Sequence, residues 1–138
     1  MRKFKNAVSI ILAVAFVLAL VSCNKTEKDL WESANYLEDT EFGSGAKTVT
    51  VEVKAGEKQV TFTVKTDKDT VGAALLEHGL IAGEDSQYGL YVKVVNGMTA
   101  DYDIDQSYWA FYTNGEYALG VDNTEITEGA TYQFEYTK

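Results

Sequence analysis

Valine and phenylalanine alternate with polar residues in the middle of the chain. From Thr48 to Lys54, Val49, Val51 and Val53 fall on one face, and Thr48, Thr50, Glu52 and Lys54 on the other. From Val60 to Lys65, Val60, Phe62 and Val64 repeat the pattern. A period of two is that of a half-buried strand. The short link Ala55-Gly56-Glu57-Lys58 between the runs predicts an antiparallel hairpin. The period then changes: Val71, Ala74, Leu75 and His78 fall at helical spacing. Asp69 or Thr70 suits the N-cap. Gly79 is placed to stop the helix, and Leu80 follows as an apolar cap contact. So short a helix is stable only against a sheet.

Strand patterns resume at Leu90 to Val95, followed by an Asn96-Gly97 turn. Tyr108 to Thr113 is an aromatic strand, and Asn114-Gly115 is a tight-turn pair leading into Glu116 to Leu119. Thr131 to Tyr136 closes the chain, with Tyr132, Phe134 and Tyr136 alternating. A hairpin, a helix and further strands predict a small α+β domain over 47–138, with one mixed sheet, one short helix and a β-grasp-like layout. Residues 23–46 read as a flexible tether. They are rich in Asp, Glu, Lys, Asn and Ser, with Trp31, Tyr36, Leu37 and Phe42 scattered among them, and Gly43-Ser44-Gly45 lies near their end. No stable element is expected there.

Residues 1–22 read as a signal peptide. Arg2, Lys3 and Lys5 form a positive start, and Ala7 to Val21 is an uncharged run of 15 residues. That suits a signal core and falls short of the roughly 20 residues of a spanning helix. The sequence Leu20-Val21-Ser22-Cys23 then resembles the lipobox of bacterial lipoproteins. The small residue lets a peptidase reach the backbone, and the sulfur of Cys23 carries the lipid. One acyl chain binds a bilayer marginally, whereas two or three anchor it stably. The expected location is the extracellular face of a bacterial cell membrane, held by the lipid, with a Gram-positive cell as the expected setting. An ordinary secretory signal and an uncleaved anchor are the alternative readings.

Charge and cysteine usage narrow the classes. Cutting before Cys23 removes 22 of 138 residues and three positive charges, so 116 residues remain with nine Lys and Arg against 21 Asp and Glu, a formal charge of −12. Clustered cations for phosphate are missing, so no nucleic-acid partner is expected. Cys23 is the sole cysteine, which excludes an internal disulfide.

Little in the chain could build an enzyme. His78 is the single histidine and sits at a helix end, where it complements carbonyls. No phosphate loop, zinc spacing or nucleophile elbow occurs. Two segments remain as candidate sites. Asp101, Asp103 and Asp105 share the opening spacing of a calcium loop, and three convergent carboxylates would hold a hard cation. The rest of the loop departs from that pattern: Gln106 replaces its glycine and Tyr112 its bidentate glutamate. A solvated acidic loop is the competing reading. In Tyr108-Trp109-Ala110-Phe111-Tyr112, one alternate set belongs to the core. The other either packs as well or forms an aromatic surface for a flat ligand.

Several blocks, in order, carry a resemblance. They are Thr70 to Leu75, Tyr88-Gly89-Leu90-Tyr91, Val95-Asn96-Gly97, Ala100-Asp101-Tyr102, Tyr108 to Tyr112, Asn114 to Tyr117, Gly120-Val121-Asp122 and Glu128-Gly129. Together they resemble bacterial lipoproteins of the domain-of-unknown-function family numbered 4430, related to the C-terminal domain of transcobalamin and intrinsic factor. The resemblance implies a β-grasp-like ligand-binding fold. In the vitamin carriers that domain covers one face of cobalamin, beside a larger helical domain. The ligand-facing positions it implies are Tyr108, Trp109, Tyr112, Gly120, Val121 and Asp122.

The leading expectation is a non-enzymatic, membrane-anchored module for a small ligand, with a corrinoid as the best-motivated ligand and no cofactor required. A calcium-like site at Asp101, Asp103 and Asp105 is the second. A module docking to a transporter or another surface protein, through an open strand edge, is the third.

Overall fold

The valine alternation of the first hairpin forms two long strands whose buried sides face one core. A computed structural model describes residues 27–118 and 120–138. The signal-like segment 1–22 and Cys23 lie outside the described residues. Two helices precede the last part of the sheet: α1 (Glu27–Glu32) and α2 (Val71–Glu77), with a single turn α3 (Tyr102–Asp105) further on. The strands are β1 (Thr40–Gly43), β2 (Lys47–Ala55), β3 (Lys58–Thr66), β4 (Ile81–Ser86), β5 (Gly89–Val95), β6 (Met98–Thr99), β7 (Tyr108–Thr113), β8 (Glu116–Tyr117) and β9 (Thr131–Thr137). A 3₁₀ turn covers Val121–Asn123.

Six strands form a mixed sheet in the order β1-β3-β2-β9-β7-β8. β1 runs parallel to β3 and β2 parallel to β9, and the other pairs are antiparallel. The predicted α+β domain with a mixed sheet is therefore present. A second, three-stranded sheet, β4-β5-β6, adds to it. β4 carried no apolar alternation in the sequence because only Ile81 of its six residues is buried.

α2 follows its sequence signals closely. Thr70 caps it, its side chain accepting from the Ala73 N–H at 3.2 Å. Gly79, at φ +66°, ends it in the left-handed region. Leu80 N–H donates to Leu75 O at 3.0 Å and Gly79 N–H to Leu76 O at 3.1 Å. These are the two bonds of a Schellman end. Val71, Ala74 and Leu75 are fully buried, so the helix lies apolar side down on the core.

The expectation of a flexible tether over 23–46 is corrected for residues 27 onward. Leu30 and Trp31 of α1 are 6% and 7% exposed. The Trp31 indole N–H donates to Ala55 O at 3.0 Å. Tyr36 meets Phe62 edge-on and Phe42 meets it at a tilt, with ring centres 5.8 and 5.7 Å apart. Asn96, fully buried, accepts from Tyr36 N–H at 2.9 Å and donates to Tyr36 O at 2.8 Å. The aromatic residues that appeared scattered each have a place in the core. A polar average composition concealed this, since four large side chains suffice to fix a short strap.

Asn96 also holds φ +51°, a conformation that asparagine tolerates better than most residues. Asn96→Ala is expected to lower stability by about 2–3 kcal/mol, because both Tyr36 backbone groups lose their partner. Urea denaturation of residues 23–138 measures it. Amide exchange at Tyr36 should accelerate more than that at Val51, which lies in the sheet centre.

Candidate functional site

The aromatic strand β7 divides its side chains between the two faces of the sheet. Trp109 is paired with Tyr136, and Phe111 with Phe134, on β9. Paired residues share a face, so Trp109 and Phe111 join the core at 7% and 6% exposure. The Trp109 indole N–H donates to Met98 O at 3.2 Å, and its ring meets Tyr136 edge-on at 5.6 Å. Trp109 is thus no exposed stacking platform. Its polar group is satisfied and its ring is packed. Tyr108 and Tyr112 lie on the other face and are half-buried.

β5 approaches β7 across the gap between the two sheets, leaving a cleft of about 170 Å³. Leu90, Tyr91 and Val92 line one side, and Tyr108, Trp109, Phe111 and Phe134 the other. Tyr117, Gly120 and Val121 complete the lining. Among the described residues, no charged side chain contributes. Tyr91 and Tyr117 are 42% and 67% exposed, so two phenol rings stand in water beside an apolar floor. Four of the six ligand-facing positions named from the sequence, Tyr108, Trp109, Gly120 and Val121, come together here.

The other two do not line the cleft. Tyr112 meets Tyr117 edge-on at 5.7 Å and so supports a lining residue from behind. Asp122 acts as a strut. Its Oδ2 accepts from Leu90 N–H at 2.9 Å. A Cβ at Gly72 would lie 2.2 Å from its Oδ1, and one at Gly89 would lie 3.1 Å from Oδ2. The carboxylate therefore fits between the start of α2 and the start of β5, at two positions where glycine leaves room for it. Leu90, Tyr91, Val92, Phe111, Tyr117 and Phe134 were not singled out as site residues. The block Tyr88 to Tyr91 carried part of that signal, but nothing in its spacing showed which strand it would face.

The acidic segment folds differently from a cation loop. Asp101 caps α3, its carboxylate accepting from Asp103 N–H at 3.0 Å. The Asp105 carboxylate turns back onto Ser107, accepting from its N–H at 3.1 Å, and faces Lys138 at 3.9 Å. Asp103 is exposed. Asp101, Asp103 and Asp105 thus do not converge, and among the described residues no three His, Cys, Asp or Glu side chains are placed to hold a metal. Nearby, Glu84 hydrogen-bonds Lys93 at 3.2 Å and holds its ammonium above the ordinary lysine range. Partial burial opposes that shift, and the charges of Glu84, Asp101 and Asp103 reinforce it.

His78 follows α2 as its C-cap residue, with its ring 5.6 Å from that of Phe42. Its Nε2 is buried without a hydrogen-bond partner, and its ring packs against the strap.

No family model and no curated protein matches the chain. Solved structures do. A protein of Ruminococcus gnavus ATCC 29149, named provisionally as metal-binding, is 30% identical, with a TM-score of 0.63. The match covers 67% of this chain and 97% of that one. Haptocorrin in complex with Cbi is 17% identical, with a TM-score of 0.57 over 70% of this chain, and shows a common fold. This chain spans 26% of haptocorrin's length.

Asp122→Ala is expected to release the 3₁₀ turn from β5 and to cost about 1 kcal/mol. Asp122→Asn keeps an acceptor and should cost less. Paired denaturation curves of the two variants test this, and equal losses would show that the Leu90 bond is not what holds the turn.

Proposed function

This chain belongs to the family of the Ruminococcus gnavus protein, and from that premise we propose a lipid-anchored, non-enzymatic module that binds a small ligand between its two sheets. The observation that carries this reading is the lining of the cleft: exposed Tyr91 and Tyr117 beside Trp109 and Phe111, with no charged group. Aromatic faces without charge favour a flat, neutral group. The lipobox-like Leu20 to Cys23 supports anchorage through Cys23.

Size limits how the ligand sits. Pockets that engulf a drug-sized ligand run to roughly 300–1,000 Å³. A cleft of about 170 Å³ receives one ring-sized group. A larger planar molecule would therefore lie across the cleft with most of its surface outside. A corrinoid is the first ligand to test. The blocks that resemble the 4430 family and the fold shared with haptocorrin support that choice.

Calorimetric titration with cobalamin is the direct measurement. Tyr91→Ala and Tyr117→Ala should each weaken binding by about tenfold, the equivalent of one good aromatic contact at about 1.4 kcal/mol. Both side chains are exposed, so the fold should survive their loss. Trp109→Ala is the wrong probe, because emptying a buried tryptophan site costs about 3–5 kcal/mol. No heat at high micromolar cobalamin removes the corrinoid from this reading.

A second reading, cation binding at Asp101, Asp103 and Asp105, is favoured by the provisional name of the Ruminococcus gnavus relative. It requires α3 to unwind, since Asp101 and Asp105 are engaged within the turn. The cleft reading expects calcium and chelator to leave the melting temperature unchanged. A calcium-dependent rise, abolished when all three residues become Asn, would favour the cation instead.

A further inference from the structure

One end of the domain collects features from distant parts of the chain. β9 runs parallel to β2, pairing Lys54 with Glu135, and antiparallel to β7, pairing Tyr108 with Thr137. The Ala55 end of β2, the end of β9 and the start of β7 therefore share one edge of the sheet. α1 is fixed to that edge through Trp31, whose ring also lies 5.1 Å from Lys58 Nζ. α3 is held there by Asp105 and Lys138. On α3, Ile104 is 82% exposed and Tyr102 54%.

α1 begins at Glu27, three residues after Asn24 follows Cys23 in the sequence. A chain extends at most about 3.5 Å per residue, so Cys23 cannot be farther than about 14 Å from the start of α1, whatever path it takes. The strap from α1 onward is folded into the core and adds no reach. We propose that this end of the domain lies against the phospholipid surface, with Tyr102 and Ile104 of α3 entering the headgroup layer. An isoleucine left in water and a tyrosine with an apolar ring and a polar tip suit that layer. The inference rests on lipid anchorage at Cys23 and goes beyond it by assigning the docked face. It also orients the cleft: Tyr108 lies at its membrane end, and Tyr117 toward water.

The test uses the lipidated full chain in phosphatidylcholine vesicles carrying lipids with a doxyl quencher near the headgroup. Acylation occupies the thiol of Cys23, so a bimane label reports one introduced cysteine at a time. Ile104→Cys and Tyr102→Cys mark α3, and Asn114→Cys marks the turn at the opposite end of β7. Quenching at 104 and 102 should exceed that at 114 several-fold. Equal quenching at all three sites overturns the proposed face. Mass spectrometry of the Cys23 peptide separates the premises. An acylated Cys23 with equal quenching defeats the orientation alone. An unacylated Cys23 defeats the anchorage, and the orientation with it.

Discussion

A parallel strand pair cannot be closed by a tight turn, so the pairing of β2 with β9 obliges the chain to leave the sheet and return. Val51 faces Tyr132 in that ladder and Val53 faces Phe134, and all four are fully buried. The middle of the core is thus made by residues from opposite ends of the domain. α2, the second sheet, α3 and β7 all belong to the crossing between them. With β3 on one side of β2 and β7 on the far side of β9, neither central strand has an edge left to offer.

The cleft follows from that arrangement. β4, β5 and β6 have no free central edge to join, so they form a separate sheet and meet β7 without a shared strand ladder. Where two sheets meet without a shared hydrogen-bond ladder, the fit between them depends on the side chains, and here large aromatic groups leave a gap. Asp122 fixes the separation from one end by tying Leu90 to the 3₁₀ turn. Met98 O fixes it near the other by holding the Trp109 indole. Both are single hydrogen bonds, so the shape of the cleft is more sensitive to them than the stability of the core is.

Local chemistry was the most legible part of the sequence. Thr70, Gly79 and Leu80 announced both ends of α2, because capping depends on residues only a few positions apart. The valine alternation gave the hairpin for the same reason. Pairings across the chain were not legible. Trp31 carries no local pattern, and its site on Ala55 exists only once β2 is in place. β4 is polar and gains its order from β5, so its own residues had nothing to show. In β7 the two faces were separable by alternation, yet which face met the core depended on β9. Asp122 read as a ligand group because its turn was recognisable. Its role as a strut required Gly72 and Gly89, which are remote in sequence and adjacent in space.

Charge and aromatic surface are kept apart in this molecule, and in the proposed cleft-binding reading that separation would act on recognition. Residues 23–138 carry a formal charge of −12, while the described residues of the cleft lining carry none. An approaching anion meets a repulsive field at long range before it can reach the tyrosines. Within the cleft it would find no cation to replace its water, since Lys93, the nearby lysine on β5, is engaged by Glu84. A neutral or cationic group meets neither obstacle. In that reading the surface charge would contribute selectivity without lining the site, and the rings of Tyr91 and Tyr117 would be left to discriminate by shape.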